Sequence, residues 1–139
     1  MYDLNHLAKH LRSASLKKKD APFIHLHEND QLISFEDFFQ NAEKIASALI
    51  SAGIRPGDRV AMQVEKSSSA IELYFGTILA GAGFLPLNTA YVAEEIDFFL
   101  RDARPSIFVC DPSKLDNYTK IAESSGVSHI WTLSADGTG

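Results

Sequence analysis

Arg59-Val60-Ala61-Met62-Gln63-Val64 is a short apolar run, and the alternation that begins with it decides the fold. Residues 68–82 are rich in Ile, Leu, Tyr and Phe and long enough for a helix. Phe84-Leu85-Pro86-Leu87 is a second short apolar run. Residues 94–103 place Ile96, Phe99 and Leu100 at helical spacing, and residues 106–110 read as a third strand. Residues 116–125 then read as a helix and residues 129–133 as a fourth strand. Strands alternating with helices of this length predict an α/β fold, built of βαβ units with a parallel sheet and right-handed crossovers.

Upstream the pattern differs. Residues 2–15 carry Leu4, Leu7, Ala8 and Leu11 at helical spacing, and residues 17–21 read as a linker. An apolar stretch from Phe23, the polar turn Glu28-Asn29-Asp30, and a second apolar stretch through Leu32 and Ile33 predict a β-hairpin. Ser34 opens the clearest helix, since Ser34-x-x-Asp37 resembles a capping box. Phe38, Phe39, Ala42, Ile45, Ala46, Leu49 and Ile50 form its apolar stripe. Gly53 stands where a left-handed C-cap is wanted, and Pro56-Gly57 is a stop.

Composition narrows the function classes. With 139 residues, 45% hydrophobic and 22% charged, the chain is ordinary globular protein and long enough to bury a core. Its net charge of −5 argues against nucleic acid or an anionic membrane as partner. The run Lys17-Lys18-Lys19 reads as a solvated turn. No segment approaches the ~18 apolar residues of a membrane span. Residues 1–15 lack an apolar h-region, so they are not a secretory signal. The lone Cys110 fits a reducing compartment, and the expected location is cytoplasmic.

Ligands of open α/β sheets bind beyond the carboxyl ends of the strands. Those ends fall near Glu65-Lys66-Ser67, Asn88-Thr89-Ala90-Tyr91 and Asp111-Pro112-Ser113-Lys114. Lys66 with the serine-rich helix start after it is either an anion site or a solvated lysine beside an N-cap. Residue chemistry favours the N-cap. Neither glycine-rich phosphate motif occurs. Gly76, Gly81 and Gly83 are expected to serve helix–sheet packing or helix termination. Gly137-Thr138-Gly139 reads as a polar, disordered end. His25 and His27 share a strand face without a third ligand, so the metal expectation is none. Cys110 reads as a small hydrophobe, and Asp111 as a turn cap. No acid–base or nucleophile–base pair emerges, so the expected catalytic residues are none.

The order and wording of these stretches resemble a known family. Ser34-Phe35-Glu36-Asp37 and its helix are similar to the helix that opens adenylate-forming acyl-CoA synthetases. Gly53-Ile54-Arg55-Pro56-Gly57-Asp58-Arg59-Val60-Ala61 is similar to that family's Gly…x-Gly-Asp-x-Val stretch. Ala80-Gly81-Ala82-Gly83-Phe84-Leu85-Pro86-Leu87-Asn88 is similar to its Pro-Leu-Asn turn and strand. Glu94-Glu95-Ile96 through Asp102-Ala103, and then Pro105-Ser106-Ile107-Phe108-Val109, resemble its next helix and strand. The three strand-end loops resemble the malonyl-CoA synthetase branch.

The resemblance implies a three-layer parallel sheet with helices on both faces, part of a large N-terminal domain. It divides the chain into an N-terminal helix and linker at 1–21, an incomplete first α/β subdomain at 22–133 and a polar tail at 134–139. It implies a full enzyme that converts a carboxylic acid and ATP, with Mg2+, to an acyl-adenylate. The acyl group then passes to coenzyme A. Malonate is the implied acid; a fatty or aryl acid is the alternative within the family, and a flavodoxin-like binding module the alternative outside it. The family's phosphate loop, Tyr-Gly-x-Thr-Glu stretch, ribose-binding Asp and catalytic Lys match no position here. The chain is therefore expected to be an inactive fragment without bound cofactor. Its expected partners are the missing downstream subdomains, or further copies of itself through an exposed apolar face. Lys66, Asn88 and Tyr91 are the candidates for ligand proximity.

Overall fold

A computed structural model of the chain describes residues 5–139. Its elements in chain order are α1 (His6–Lys17), β1 (Pro22–Leu26), β2 (Gln31–Ser34), α2 (Phe35–Ser51), β3 (Arg59–Gln63) and α3 (Ser68–Leu79). After these come β4 (Gly83–Pro86), α4 (Ala93–Ala103), β5 (Ile107–Cys110), α5 (Leu115–Ser124) and β6 (His129–Thr132). Asn5 caps α1 by accepting the Ala8 N–H at 3.1 Å, and the helix runs on through Lys17 into the expected linker. The part of the expected first helix at residues 2–4 lies outside the described residues. Strands β1 and β2 form the expected antiparallel hairpin, with Leu26 opposite Gln31 and His25 opposite Leu32.

Helix α2 begins and ends on side chains and backbone that its sequence supplies. The Ser34 hydroxyl accepts the Asp37 N–H at 3.0 Å. Asp37 answers with its own carboxylate, which accepts the Ser34 hydroxyl at 2.8 Å, so only half of a capping box forms. At the other end Gly53 takes φ +97°, its N–H reaches Ile50 O, and the Ile54 N–H reaches Leu49 O. This pair of bonds is a Schellman motif, and it turns Ile54 into the core. Of the predicted stripe, Phe38, Phe39, Ala42, Ala46 and Leu49 are buried, while Ile45 is half-buried and Ile50 exposed. Each large side chain so buried contributes about 1.5–3 kcal/mol.

The four remaining strands form one parallel sheet in the order β4-β3-β5-β6. Alternating side chains feed two cores. Val60, Ile107 and Val109 pack with Ala42, Leu49, Leu73 and Leu79 on the face covered by α2 and α3. Ala61, Phe108 and Cys110 pack with Ile96, Leu100, Tyr118 and Ala122 on the face covered by α4 and α5. The result is the expected α/β arrangement, three layers with helices on both faces, preceded by a helix and a hairpin. Pro86 lies in β4, which is an edge strand, where a missing N–H is tolerated.

Three expectations are corrected by the structure. The helix expected over residues 68–82 stops at Leu79, because Gly81 at φ +83° closes a second Schellman motif, with Gly81 N–H on Ile78 O and Ala82 N–H on Thr77 O. Gly76 serves helix–helix rather than helix–sheet contact. A Cβ there would stand 2.6 Å from Ile45 Cγ2 and 3.0 Å from Ala42 O of α2. The tail expected to be disordered closes instead into a turn, in which the Asp136 carboxylate accepts from the Ser134 hydroxyl and from the N–H and hydroxyl of Thr138. Those three bonds hold the Asp136 carboxyl down at about 2.

Candidate strand-end site

The strand order reverses about β3: α3 leads outward to β4, and α4 then returns across β3 to β5. Such a switch point leaves a crevice at the carboxyl ends of the strands. All three loops singled out from the sequence gather there. Side chains tie them together. Gln63, the last residue of β3, is wholly buried on the same face as Ala61. Its Nε2 donates to Asn88 O at 2.8 Å and Tyr91 O at 3.0 Å. Lys114 Nζ donates to Thr89 O at 3.2 Å. The turn at residues 88–91 is closed by the Tyr91 N–H on Asn88 O at 3.0 Å.

The three candidate residues part company. Lys66 and Asn88 are exposed and line one cleft of about 1100 Å³ between the hairpin, α3 and the β4 edge. Asn88 also accepts the Ala90 N–H on Oδ1 at 2.9 Å, so its side chain shapes its own turn. Tyr91 does not line the cleft. Its ring stacks on Phe99, with centroids 5.1 Å apart and planes 21° from parallel. The cleft is mostly apolar, with Leu26, Met62, Val64, Tyr74 and Phe84 among its walls. A second, polar cleft of about 940 Å³ lies on the other side of the start of α3, where Lys66, Asn41, Glu72 and Asp136 meet.

The functional groups here are quiet. Burial pushes the Cys110 thiol up to about 11, and the neighbouring Asp111 adds to the rise, so the thiol stays protonated. The hydroxyl and N–H of Ser113 hold the Asp111 carboxyl below the usual carboxylate range, which makes Asp111 the turn cap its sequence suggested. Burial raises the Tyr118 phenol, and the neighbouring Gln63 side chain opposes that rise. Ser67 caps α3 by accepting the Ala70 N–H at 3.1 Å, which is the structural reading of the Lys66 segment. His25 is occupied by Asp30, Nε2 to Oδ1 at 2.7 Å. Among the described residues no three His, Cys, Asp or Glu side chains gather as metal ligands. The start of α3, with Lys66 beside it, is bordered by Glu72 and Asp136.

Sequence reasoning missed Gln63 and Lys114. Gln63 had a readable signal, since it is a polar residue at an inward position of an otherwise apolar strand. Lys114 had none, because its partner is a backbone carbonyl 25 residues away.

The fold and the strand-end loops define a doubly wound α/β unit whose strand-carboxyl end is formed by the 65–67, 88–91 and 111–114 segments. Residues 6–138 match the family model described as AMP-binding enzyme, and the chain belongs to that family. The crystal structure of apo MatB from Rhodopseudomonas palustris is 40% identical with a TM-score of 0.84, over 95% of this chain and 26% of that one. ATP-bound MatB from the same organism is 41% identical with a TM-score of 0.82, over 93% and 26%. A mitochondrial medium-chain acyl-CoA ligase of Danio rerio is 35% identical over 58% of this chain and 13% of that protein. Enterobactin synthase component F of Shigella flexneri is 27% identical over 88% of this chain and 9% of its own length. The chain thus spans about a quarter of these solved structures and less than a sixth of these curated relatives.

Proposed function

We propose that this chain is the first part of an acid–CoA ligase. In that reading the complete polypeptide joins a carboxylic acid to AMP, releases pyrophosphate from ATP, and transfers the acyl group to coenzyme A. The observation that carries it is the 40% identity to MatB, sustained over 95% of the chain. ATP as co-substrate is supported by the ATP-bound relative of the same similarity. Malonate as the acid is supported by the strand-end loops, whose wording resembles the malonyl-CoA synthetase branch. A fatty acid is the second reading, supported by the 31% identity to a structure described as a long-chain-fatty-acid CoA ligase of Rhodopseudomonas palustris, over 96% of this chain.

Within that enzyme the described residues act as a platform. Residues 22–133 would form the first α/β subdomain, after the helix and linker at 1–21, with the tail at 134–139 leading onward. The remaining subdomains would cover the apolar cleft beside β4, and Lys66 and Asn88 would stand at its rim. Tyr91 would act from beneath, through its packing on Phe99.

The test is pyrophosphate release by the complete polypeptide with ATP, Mg2+ and a panel of acids. Release with malonate far above that with fatty or aryl acids supports the reading, and release with a fatty acid alone transfers it to the second. The 139-residue chain by itself is expected to release none. Acyl-adenylate formation by the isolated chain would show that the catalytic groups lie within it.

A further inference from the structure

Gln63 sits where an apolar side chain would serve packing just as well. Its neighbours on that face are Ala61, Leu85, Leu87, Phe108 and Cys110, and it is 0% exposed. Both of its amide protons are engaged by one turn, at Asn88 O and Tyr91 O. Carbonyl oxygens only accept, so the amide must face them through nitrogen, with the Tyr118 phenol as a further polar neighbour on the same face. That orientation has a visible cost: Gln63 Oε1 is buried, and no donor reaches it. Met fills similar space with no polar atom to satisfy, so packing alone does not call for an amide here, and the bonds to the turn do.

The bonds have a directional consequence. Asn88 O accepts from both Gln63 and the Tyr91 N–H, Thr89 O accepts from Lys114, and Tyr91 O accepts from Gln63. The carbonyls of residues 88, 89 and 91 are thereby drawn into the protein. The Asn88 side chain, exposed, is left on the rim of the cleft it shares with Lys66. Two neighbouring strand ends, β3 and β5, hold the loop of a third.

We propose that Gln63 is a positioning residue: it sets the geometry of the strand-end site by latching the 88–91 turn, with Lys114 as the second tie. The role rests on the acid-activating reading of the complete polypeptide. It operates through the turn and requires no contact between Gln63 and substrate.

The test compares Q63M with wild type in the complete polypeptide that carries this chain. Q63M keeps the length of the side chain and removes its donors. Amide hydrogen exchange at residues 89–92 is expected to accelerate roughly tenfold, with exchange in β5 and α4 unchanged. The KM for the acid is expected to rise roughly threefold or more at unchanged kcat, a split that lost stability would not produce. Unchanged exchange overturns the latch. Faster exchange with unchanged KM reduces Gln63 to a structural residue and overturns the positioning role. Should Q63M fail to fold, K114M removes the other tie and is judged by the same two readouts. Absence of pyrophosphate release in the wild type would sink the acid-activating reading and the positioning role with it, and the exchange comparison would still decide whether Gln63 holds the turn.

Discussion

Glu72 is a carboxyl nearly without water. It is 7% exposed between α2 and α3, where Asn41 Nδ2 donates to it at 3.1 Å. Burial raises its pKa, and the Asn41 bond and the charge of Lys44 pull the other way without cancelling that rise. A raised pKa means that the folded chain holds this proton more tightly than the unfolded chain. Stability therefore falls as pH climbs from the ordinary value of 4.5 through the folded value. E72Q keeps an acceptor for Asn41 and removes the buried charge. It is expected to melt above wild type at pH 7, with the gap closing as pH drops below 4.5, where Glu72 is neutral in both states. Melting curves across pH check this, and a lower Tm for E72Q at pH 7 would show that attraction to Lys44 outweighs desolvation. None of this is legible in the sequence, where Glu72 is one acid within a helix. Its burial follows from α2 lying across it, and Asn41 is 31 residues away.

At the scale of elements, the sequence is explicit about helix ends and vague about helix partners. Ser34, Ser67 and Gly53 act locally, through bonds to residues three positions away, so their roles can be read from composition and order. Gly81 reads as a terminator and is one, yet its helix ends sooner than the apolar run suggests, because Ala80 and Ala82 stay buried outside the helix. Gly76 is the opposite case. Its need for a missing side chain comes from Ile45 and Ala42 on another helix. G76A is expected to lose about 1–3 kcal/mol, the usual cost of overpacking a close contact. Urea unfolding measures it. G83A is the control, since a Cβ there would meet Arg59 Cγ at an ordinary 3.5 Å. Equal stability of the two variants would refute the close helix contact.

For the whole molecule, the exposed apolar surface carries the prediction. Ile71 is 43% exposed in the cleft walled by Leu26, Met62 and Phe84, and Leu32, 59% exposed, lines the neighbouring polar cleft. A face of this kind on a soluble domain is normally covered. The isolated chain is expected to self-associate as concentration rises, and the complete polypeptide, with that face covered, is not. Light scattering over a concentration series distinguishes them, and a strictly monomeric isolated chain would favour a self-sufficient binding module. The sequence by itself determined the alternation of strands and helices, the caps that bound them, and the family, since each is written in periodicity and short-range order. It also placed the three loops at one end of the sheet, because parallel strands share a direction. Only the tertiary structure decided that Tyr91 turns to Phe99 while Lys66 and Asn88 share a cleft, that Gly76 faces α2, and that Gln63 ties a turn 25 and 28 residues away. The physical reason is that periodicity reports which side of an element is buried, whereas the partner on that side is chosen by how the layers pack.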